Sequence, residues 1–204
     1  MSVWKSLLFV PGARPDRFGK ALAAGAAAVI FDLEDSVPEA GKTAAREALA
    51  TFLAAPRSPG PARVVRINRL ARAEGKADLA ALAGLDVDAF MLPKVESADP
   101  LGVAAAHLAK TGSAASLIAL IESARGLGRI EDVVDAAPDR LGALMFGAAD
   151  YAADLGLQVG GRRADFARDR IVNAAAMRGL AAIDSPFFDV ADAAALADDC
   201  AAAK

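Results

Sequence analysis

The sequence predicts an α/β protein with the (β/α)8 architecture of a TIM-type barrel, of which seven strand–helix units are visible along 204 residues. Two observations lead to this fold class. Short apolar runs alternate with helix-patterned segments through brief connections, which indicates a parallel sheet covered by helices. In addition, six or seven consecutive runs are each followed by a polar group. That distribution is typical of a closed barrel, whereas an open doubly wound sheet gathers its binding residues at one switch point.

The short apolar runs are predicted as buried parallel strands, because each is a nearly continuous apolar stretch bounded by polar or turn residues. The runs are SLLFV (6–10), AVIFDL (28–33), RVVRI (63–67), AFMLP (89–93), SLIALI (116–121), LGALMF (141–146) and GLAAID (179–184).

The segments between the strands are predicted as helices. Pro15 and Asp16 open the first helix and Ser123 caps the fifth, as residues of these types commonly do at helix starts. The predicted helices cover 15–24, 39–54, 76–83, 98–110, 124–136, 163–177 and 189–203. Because the seventh helix runs almost to the last residue, we expect one barrel domain over residues 1–204 that lacks an eighth unit.

Composition excludes several classes of function. The formal net charge is −3 and hydrophobic residues make up 55% of the chain, so a packed core is expected and a nucleic-acid-binding surface is not. A single cysteine excludes an internal disulfide framework. The apolar stretch near the N-terminus is too short for a signal peptide, and no window approaches the ~18 apolar residues of a membrane span. We therefore expect a cytoplasmic protein without a membrane partner.

Two acidic residues, Glu122 and Asp150, close the fifth and sixth apolar runs. A carboxylate at the carboxyl end of a barrel strand lies on the catalytic face, and two converging oxygen ligands suit a divalent cation. Magnesium fits best, since the set contains no His or Cys. The alternative is that both acids cap the helices that follow them, although Ser123 is a better cap at the first position.

Charged residues also follow the second, third and fourth strands. Arg66 ends the third strand, where it could clamp a substrate carboxylate or form a structural salt bridge. Asp32, Glu34 and Asp35 crowd the end of the second strand, and like-charge repulsion should raise the pKa of at least one of them. This crowding suits proton transfer, while a network that orients Arg66 and Lys94 is the alternative. Lys94 could supply positive charge to an enolate or pair with Asp32 or Glu34.

Two further segments contribute candidate binding residues. The first loop, VPGARPDRFGKA, contains Arg14 and Lys20 after a Pro-Gly turn. These basic residues could bind phosphate or simply lie at the surface, and no nucleotide-binding fingerprint accompanies them. Gly147 and Ala148 precede Asp150, and such small residues let the backbone approach a ligand.

Six blocks in collinear order closely resemble the citrate lyase beta-subunit-like family, within the pyruvate aldolase and citrate lyase superfamily. The blocks are LLFVPGARPDRFGKA, VIFDLED, VVRIN, MLPKVES, LIALIESARG and LMFGAADYAADLG. The resemblance implies a (β/α)8 barrel in which Glu122 and Asp150 bind Mg²⁺ and Arg66 binds a 2-oxo acid carboxylate. It also implies that Arg14 and Lys20 help to hold the coenzyme A part of a thioester.

The sequence departs from the family pattern at several points. Asp35 stands where class II pyruvate aldolases carry a His in the segment similar to DLED, which favours the thioester branch of the superfamily. Ala149 replaces the Glu that family members usually carry in the sixth block. The resemblance also implies an eighth strand with an IHP-type motif beyond Lys204. In malyl-CoA-type relatives it implies a C-terminal Asp that a neighbouring subunit offers.

The expected function is therefore a Mg²⁺-dependent carbon–carbon lyase. It would cleave or form a 3-hydroxyacyl-CoA thioester of the citryl-CoA, malyl-CoA or citramalyl-CoA type, with oxaloacetate, glyoxylate or pyruvate as the 2-oxo acid. In this hypothesis Arg66 stabilises developing charge, and Asp32, Glu34 or Asp35 handles protons, with Lys94 tuning them. The alternatives are a CoA-independent 2-oxo acid aldolase and a non-catalytic barrel subunit. By resemblance we expect a homo-oligomer, specifically a trimer.

Overall fold

The computed structural model describes residues 4–137, 139–158, 162–189 and 191–203. Its central feature is a seven-stranded sheet in the sequential order β1 to β7. Each of the neighbouring pairs is parallel, so the carboxyl ends of all the strands lie at one edge of the sheet. The strands are β1 (Leu7–Pro11), β2 (Ala28–Asp32), β3 (Ala62–Arg66), β4 (Ala89–Leu92), β5 (Ser116–Ile121), β6 (Leu141–Phe146) and β7 (Ala181–Ile183).

Helices connect the strands. Short 3-10 turns at Pro15–Arg17 and Glu39–Gly41 precede the first two α-helices. Over the described residues the α-helices are α1 (Phe18–Leu22), α2 (Lys42–Ala54), α3 (Ala73–Leu82), α4 (Asp99–Lys110), α5 (Ala124–Gly128), α6 (Ile130–Val134), α7 (Ala148–Asp154), α8 (Arg162–Met177) and α9 (Ala193–Ala202).

The sheet curls around an inner core. Alternate side chains of β2 to β6, among them Ile30 and Met145, point to one face and form a buried cluster. Phe9 of β1 and Ile183 of β7, which belong to the two outermost strands, pack against this same cluster. One cavity is lined by Phe9 of β1, by Met145 of β6 and by Ser185 after β7. A flat sheet would hold these residues far apart, so the sheet is curved. The predicted fold class, a TIM-type barrel with seven visible units, is confirmed.

The outer face of the sheet carries a larger core beneath the helices. Phe31 of β2 packs edge-on against Phe18 of α1, with ring centroids 5.1 Å apart. Leu49 of α2 and Leu101 of α4 are fully buried in the same cluster. Burial on both faces explains why the strands are continuous apolar runs in the sequence.

The strand prediction is confirmed at every position, with bounds that agree to within two residues. The predicted last helix begins at Ala193, four residues later than expected. The helix prediction is also wrong at two other places. The segment 124–136 is two helices, because Gly126 and Gly128 weaken α5 and Arg129 leaves the helical region at φ −120°. Helix α7 was not predicted, since seven residues are too few to display a helical period.

None of the helices in the described part of the chain combines the length and apolar character that a membrane span needs.

Candidate active site

A cavity of about 460 Å³ opens among the carboxyl ends of the strands. A second cavity of about 280 Å³ adjoins it, and Glu34, Asp35 and Lys94 are among its lining residues. The first cavity brings together most of the predicted site residues: Asp32, Asp35, Arg66, Glu122, Gly147, Ala148 and Asp150.

A single ammonium group contacts both acids that were predicted as metal ligands. Lys94 Nζ donates a hydrogen bond to Asp150 Oδ2 and lies 4.0 Å from Glu122 Oε1. The backbone N–H of Lys94 also donates to Glu122 Oε1, at 2.7 Å. The carboxylates of Glu122 and Asp150 therefore converge on one cationic centre.

Two backbone features permit this convergence. Lys94 has a φ of 50°, and within the described ranges it is the non-glycine residue with a left-handed backbone. Such conformations are costly and persist where the surrounding contacts determine them. A Cβ atom on Gly147 would lie 2.6 Å from Glu122 Cβ and 2.7 Å from Glu122 Oε2. Because Gly147 has no side chain, the Glu122 side chain can occupy this space.

Arg66 is the centre of a second charged cluster. Its Nε and Nη2 donate to the two carboxylate oxygens of Asp32 at 2.7 and 2.8 Å. Its Nη1 lies 3.1 Å from Glu34 Oε2 and 3.3 Å from Asp35 Oδ2. The guanidinium carbon also lies 5.3 Å from the centre of the Phe9 ring, within cation–π range. The structural salt bridge that the sequence allowed for Arg66 is confirmed.

Burial sets the protonation of two acids at this end of the barrel. It raises the pKa of Glu34 to about 8, against the opposing charge of Arg66. It raises the pKa of Glu122 to about 7, against the opposing charge of Lys94. Burial alone would also raise the pKa of Asp32, but hydrogen bonds from Arg66 hold that pKa below its ordinary value. At neutral pH, Glu34 therefore carries a proton and Asp32 does not.

A buried polar network supports the acidic loop that follows β2. Asn68 Nδ2 donates to the carbonyl oxygen of Leu33 and to Asp78 Oδ2, at 2.9 and 2.7 Å. Lys42 Nζ donates to the carbonyl oxygens of Leu33 and Glu34, at 3.2 and 3.0 Å. Asp78 is fully buried in α3, and Lys42 is buried at the start of α2. Side chains of α2 and α3 therefore fix the position of the loop that follows β2.

The sequence pattern of the HpcH/HpaI aldolase/citrate lyase family matches residues 5–204. The chain belongs to this family. The resemblance drawn from the six sequence blocks is thereby confirmed, as is the prediction that the family is one of enzymes, namely aldolases and lyases.

Relatives within this family support the assignment. A citrate lyase subunit beta-like protein of Mycobacterium tuberculosis is 40% identical, over 94% of this chain and 67% of the relative. An L-malyl-CoA/beta-methylmalyl-CoA lyase of Cereibacter sphaeroides is 34% identical, over 91% of this chain and 67% of the relative. The chain thus spans about two thirds of the length of these relatives.

A solved structure supports the fold. The crystal structure of protein CitE from Mycobacterium tuberculosis, in complex with magnesium, acetoacetate and coenzyme A, matches with a TM-score of 0.81 at 38% identity. The match covers 95% of this chain and 69% of that one. The barrel described above is therefore the fold of a solved HpcH/HpaI aldolase/citrate lyase relative.

One predicted contact of this family member is wrong. One of the two roles that the sequence allowed for Lys94 was pairing with Asp32 or Glu34, but Lys94 pairs with Asp150. Asp32 is already paired through both oxygens with Arg66. The left-handed backbone of Lys94 directs its amide toward Glu122 at the end of β5, and its ammonium follows toward Asp150 in α7.

The predicted first-loop residues, Arg14 and Lys20, are not among the residues that line the two cavities. Arg14 is half-exposed and pairs through two nitrogens with Asp16, at 2.9 and 2.8 Å. Lys20 is exposed in α1.

Several residues that line the main cavity were not identified from the sequence. Ser185 follows β7, and its Oγ accepts a hydrogen bond from the backbone N–H of Ala148 at 3.2 Å. Asp184, the last residue of the seventh apolar run, pairs with Arg168 at 3.0 Å. Phe9 could have been found from the two-residue alternation of β1, which directs it inward. Phe188 lies beyond β7, and we found no signal for it in the sequence.

Glu122 and Asp150 are the residues of this family member that could hold a divalent cation. Both are oxygen donors, Gly147 makes room beside one of them, and an ammonium already lies between them. Among the described residues, no group of three or more His, Cys, Asp or Glu side chains forms a metal-ligand cluster. The protein side of such a site would therefore consist of two carboxylates.

Proposed function

We propose that this protein is a Mg²⁺-dependent carbon–carbon lyase that cleaves or forms a 3-hydroxyacyl-CoA thioester with a 2-oxo acid. The observation that carries the proposal is the convergence of Glu122 and Asp150 on one cationic centre, in the cavity that Arg66 also lines. Names of relatives add support, because they include a malyl-CoA lyase and a protein crystallised with magnesium, acetoacetate and coenzyme A.

Glu122 and Asp150 would hold the Mg²⁺. Two carboxylates suit this ion, which usually binds through one or two protein carboxylates and completes its shell with substrate and water. A bound cation would supply Lewis-acid polarisation of the 2-oxo acid oxygens, an effect worth several kcal/mol in metalloenzymes.

Arg66 would bind the carboxylate of the 2-oxo acid. Asp32 accepts hydrogen bonds from Nε and Nη2, so Nη1 can bind other partners. One of the present partners of Nη1, Asp35, is largely exposed. A substrate carboxylate could replace Asp35 there without disturbing the buried pair with Asp32. Arg66 would then stabilise negative charge that develops on the substrate as the carbon–carbon bond changes.

Glu34 would hold the proton that the reaction needs. Its raised pKa of about 8 keeps it protonated at neutral pH, and its neighbour Arg66 lies at the wall of the cavity. A general acid works best when its pKa lies near the working pH. Asp32, which is ionised and paired through both oxygens, would instead orient Arg66.

Arg14 and Lys20 would contact the coenzyme A part of the substrate outside the cavity, while Gly147 and Ala148 would form the wall beside the reacting carbons. The continuous sheet from residue 7 to 183 supports a single barrel domain. A homo-oligomer, with a trimer as the expected form, is part of the proposal and can be measured by light scattering.

The test combines binding with turnover. Isothermal titration of oxaloacetate should give binding with Mg²⁺ present and none with EDTA. Incubation with acetyl-CoA and oxaloacetate, glyoxylate or pyruvate should give a thioester product by mass spectrometry. Glu122→Gln and Asp150→Asn should abolish both results, whereas Asp132→Asn, at an exposed position of α6, should change neither.

Each alternative predicts a different result. Turnover that persists in EDTA would exclude the metal role. Cleavage of a 4-hydroxy-2-oxo acid without any thioester, and without competition by acetyl-CoA, would identify a CoA-independent aldolase. Metal-dependent binding without turnover of any thioester would identify a non-catalytic barrel subunit.

A further inference from the structure

We infer that Lys94 is an internal cation that exchanges with the divalent metal: its ammonium bridges Glu122 and Asp150, and it swings to the acidic side of the second cavity when the metal binds. This inference rests on the metal site of the proposed function. It assigns Lys94 the role of a positioning residue that sets metal affinity.

Lys94 is attached to the two carboxylates in different ways. Its backbone N–H donates to Glu122 Oε1 at 2.7 Å, a bond that any residue except proline could make at this position. Its ammonium donates to Asp150 Oδ2 and lies 4.0 Å from Glu122 Oε1. The backbone hydrogen bond does not depend on the lysine side chain, so it can persist when the ammonium moves away from the two carboxylates. Glu122 would keep its orientation throughout the exchange.

An ammonium and a divalent cation cannot share this position. Like charges a few ångströms apart repel strongly in a partly buried site, where the effective dielectric constant is well below that of water. An ion that binds Glu122 and Asp150 must therefore displace Lys94 Nζ from Asp150. The left-handed backbone at Lys94 indicates that this residue's position is specified by its contacts, since such a conformation is unfavourable for a side chain of this size.

The second cavity offers the displaced ammonium a destination. Lys94 lines that cavity together with the acids Glu34, Asp35 and Glu39. Glu34 Oε2 is buried and accepts no hydrogen bond from any described residue, although Arg66 Nη1 lies near it. The Lys94 side chain is 29% exposed and has four rotatable bonds. A turn of that side chain would exchange Asp150 for the Glu34 oxygen as hydrogen-bond acceptor, near the negative charges of Asp35 and Glu39.

The inference is tested by metal affinity and by the lysine resonance. Mn²⁺ affinity is measured by electron paramagnetic resonance on the full chain, with folding checked by circular dichroism. Lys94→Met keeps the backbone bond to Glu122 and removes the ammonium, so its Mn²⁺ affinity should rise at least tenfold. Lys94→Arg keeps the charge and should not show this rise. Lys110→Met removes an exposed lysine at the end of α4, which lines neither cavity, and should change the affinity less than twofold.

The resonance experiment uses protein labelled with [ε-¹³C]lysine and titrated with Mg²⁺. The Lys94 signal, identified by its loss in Lys94→Arg, should shift with the midpoint of Mg²⁺ binding. The signal of Lys110, at the end of α4, should stay constant. Wild-type protein that binds Mg²⁺ while the Lys94 signal stays fixed would overturn the exchange. So would Lys94→Met protein that binds Mn²⁺ no more tightly than the wild type.

The Mn²⁺ titrations also distinguish failure of the metal site itself from failure of the exchange. If neither the wild type nor Lys94→Met binds Mn²⁺, the proposed function loses its metal and this inference falls with it. Binding by Lys94→Met alone would overturn the exchange, since the ammonium would then block the site and would not give way to the metal.

Discussion

Asp32 and Arg66 lie directly opposite each other in the neighbouring strands β2 and β3, and two parallel hydrogen bonds of 2.7 and 2.8 Å join their side chains. The Asp32 side chain is 3% exposed and that of Arg66 is 12% exposed. The strand register therefore builds a two-point ion pair into the rim of the barrel. This pair fixes the plane of the guanidinium and leaves Nη1 directed toward Glu34 and Asp35.

Replacement of Asp32 by Asn should destabilise the protein by roughly 3 kcal/mol, because it leaves the buried Arg66 charge without its main partner. The measurement is urea unfolding at pH 7 with EDTA present. The pKa of Asp32 is lowered by Arg66, so its contribution to stability is complete above the ordinary Asp pKa of about 4 and is lost as pH falls through the lowered value. The difference between wild type and variant should therefore shrink in acid.

Asp16→Asn is the matched control for this substitution. It removes the acid of another Arg–Asp pair with two hydrogen bonds, but both of those side chains are about half exposed. Exposed pairs contribute little to stability, so no measurable change in the urea midpoint is expected. Equal midpoints for the Asp32 and Asp16 variants would contradict the importance of burial.

Gly147→Ala should weaken Mn²⁺ binding at least tenfold. Gly147 has a φ of −104°, which any residue adopts, so the effect arises from contact alone. The added Cβ would lie 2.6 Å from Glu122 Cβ, and a Cβ atom cannot move without its backbone. The Glu122 carboxylate would therefore shift away from Asp150. Electron paramagnetic resonance measures the affinity.

The control for this variant is Gly102→Ala in α4, where an added Cβ meets nothing within 4 Å. Alanine favours the helix over glycine by about 1 kcal/mol, so this variant should be at least as stable as the wild type and bind Mn²⁺ equally. If the Gly147 variant also retained wild-type affinity, Glu122 would not be the residue that holds the metal.

The strands and their polar ends could be predicted from the sequence because burial on both faces makes each strand a continuous apolar run. The same runs identify the residues that follow them, so Arg66 and Glu122 could be placed at one edge of the sheet. Asp150 was associated with the same edge, although it lies in the first turn of α7 rather than directly after β6. The site was thus predictable wherever a residue follows a strand.

The pairing of charges could not be predicted in the same way. Lys94 contacts Asp150 for two reasons: the backbone of Lys94 is left-handed, and α7 places Asp150 near the carboxyl end of the sheet. Neither feature produces a periodic pattern of apolar residues in the sequence, and α7 is too short to show the helical period. The side chain of Phe188 reaches the cavity from the segment after β7, where no regular element fixes a register.

The free energy of unfolding of the wild type should fall between about pH 5 and 8, and Glu34→Gln should remove much of that fall. The pKa of Glu34 rises on folding from an ordinary 4.5 to about 8, chiefly through burial. The unfolded chain releases its proton first, so wild-type stability falls as pH rises through this window. One pKa unit corresponds to about 1.4 kcal/mol, so the change is at most roughly 5 kcal/mol. Urea unfolding in EDTA at several pH values measures it.

A smaller slope should remain in the Glu34 variant, because burial also raises the pKa of Glu122, to about 7. Glu47→Gln, at an exposed position of α2, should reproduce the wild-type profile. A Glu34 variant whose profile matched that of Glu47→Gln would mean that Glu34 is ionised at neutral pH, and Glu34 would lose its proposed role as proton donor.

The acidic loop after β2 depends on a carboxylate that never reaches the cavity. Asp78 accepts hydrogen bonds from the backbone N–H of Asn68 at 2.9 Å, from Asn68 Nδ2 at 2.7 Å and from Arg46 at 3.1 Å. The same Asn68 amide donates to the carbonyl oxygen of Leu33. A chain of buried hydrogen bonds therefore leads from α3 to the residue next to Glu34.

Asp78→Asn should break this chain, because one of the two carboxylate acceptors becomes an amide donor that faces the donors of Asn68 or Arg46. Buried donors left without acceptors, together with the lost charge opposite Arg46, should destabilise the protein by about 3 kcal/mol in urea unfolding. The effect should also reach the loop. The backbone amides of Glu34 and Ser36 donate to Asp32, and their hydrogen exchange should accelerate by more than the loss of global stability accounts for. The amide of Leu117 in β5 donates to the carbonyl oxygen of Arg140, and its exchange should accelerate only as far as the loss of global stability requires. Equal acceleration at all three amides would mean that Asp78 supports the barrel as a whole and not the acidic loop in particular.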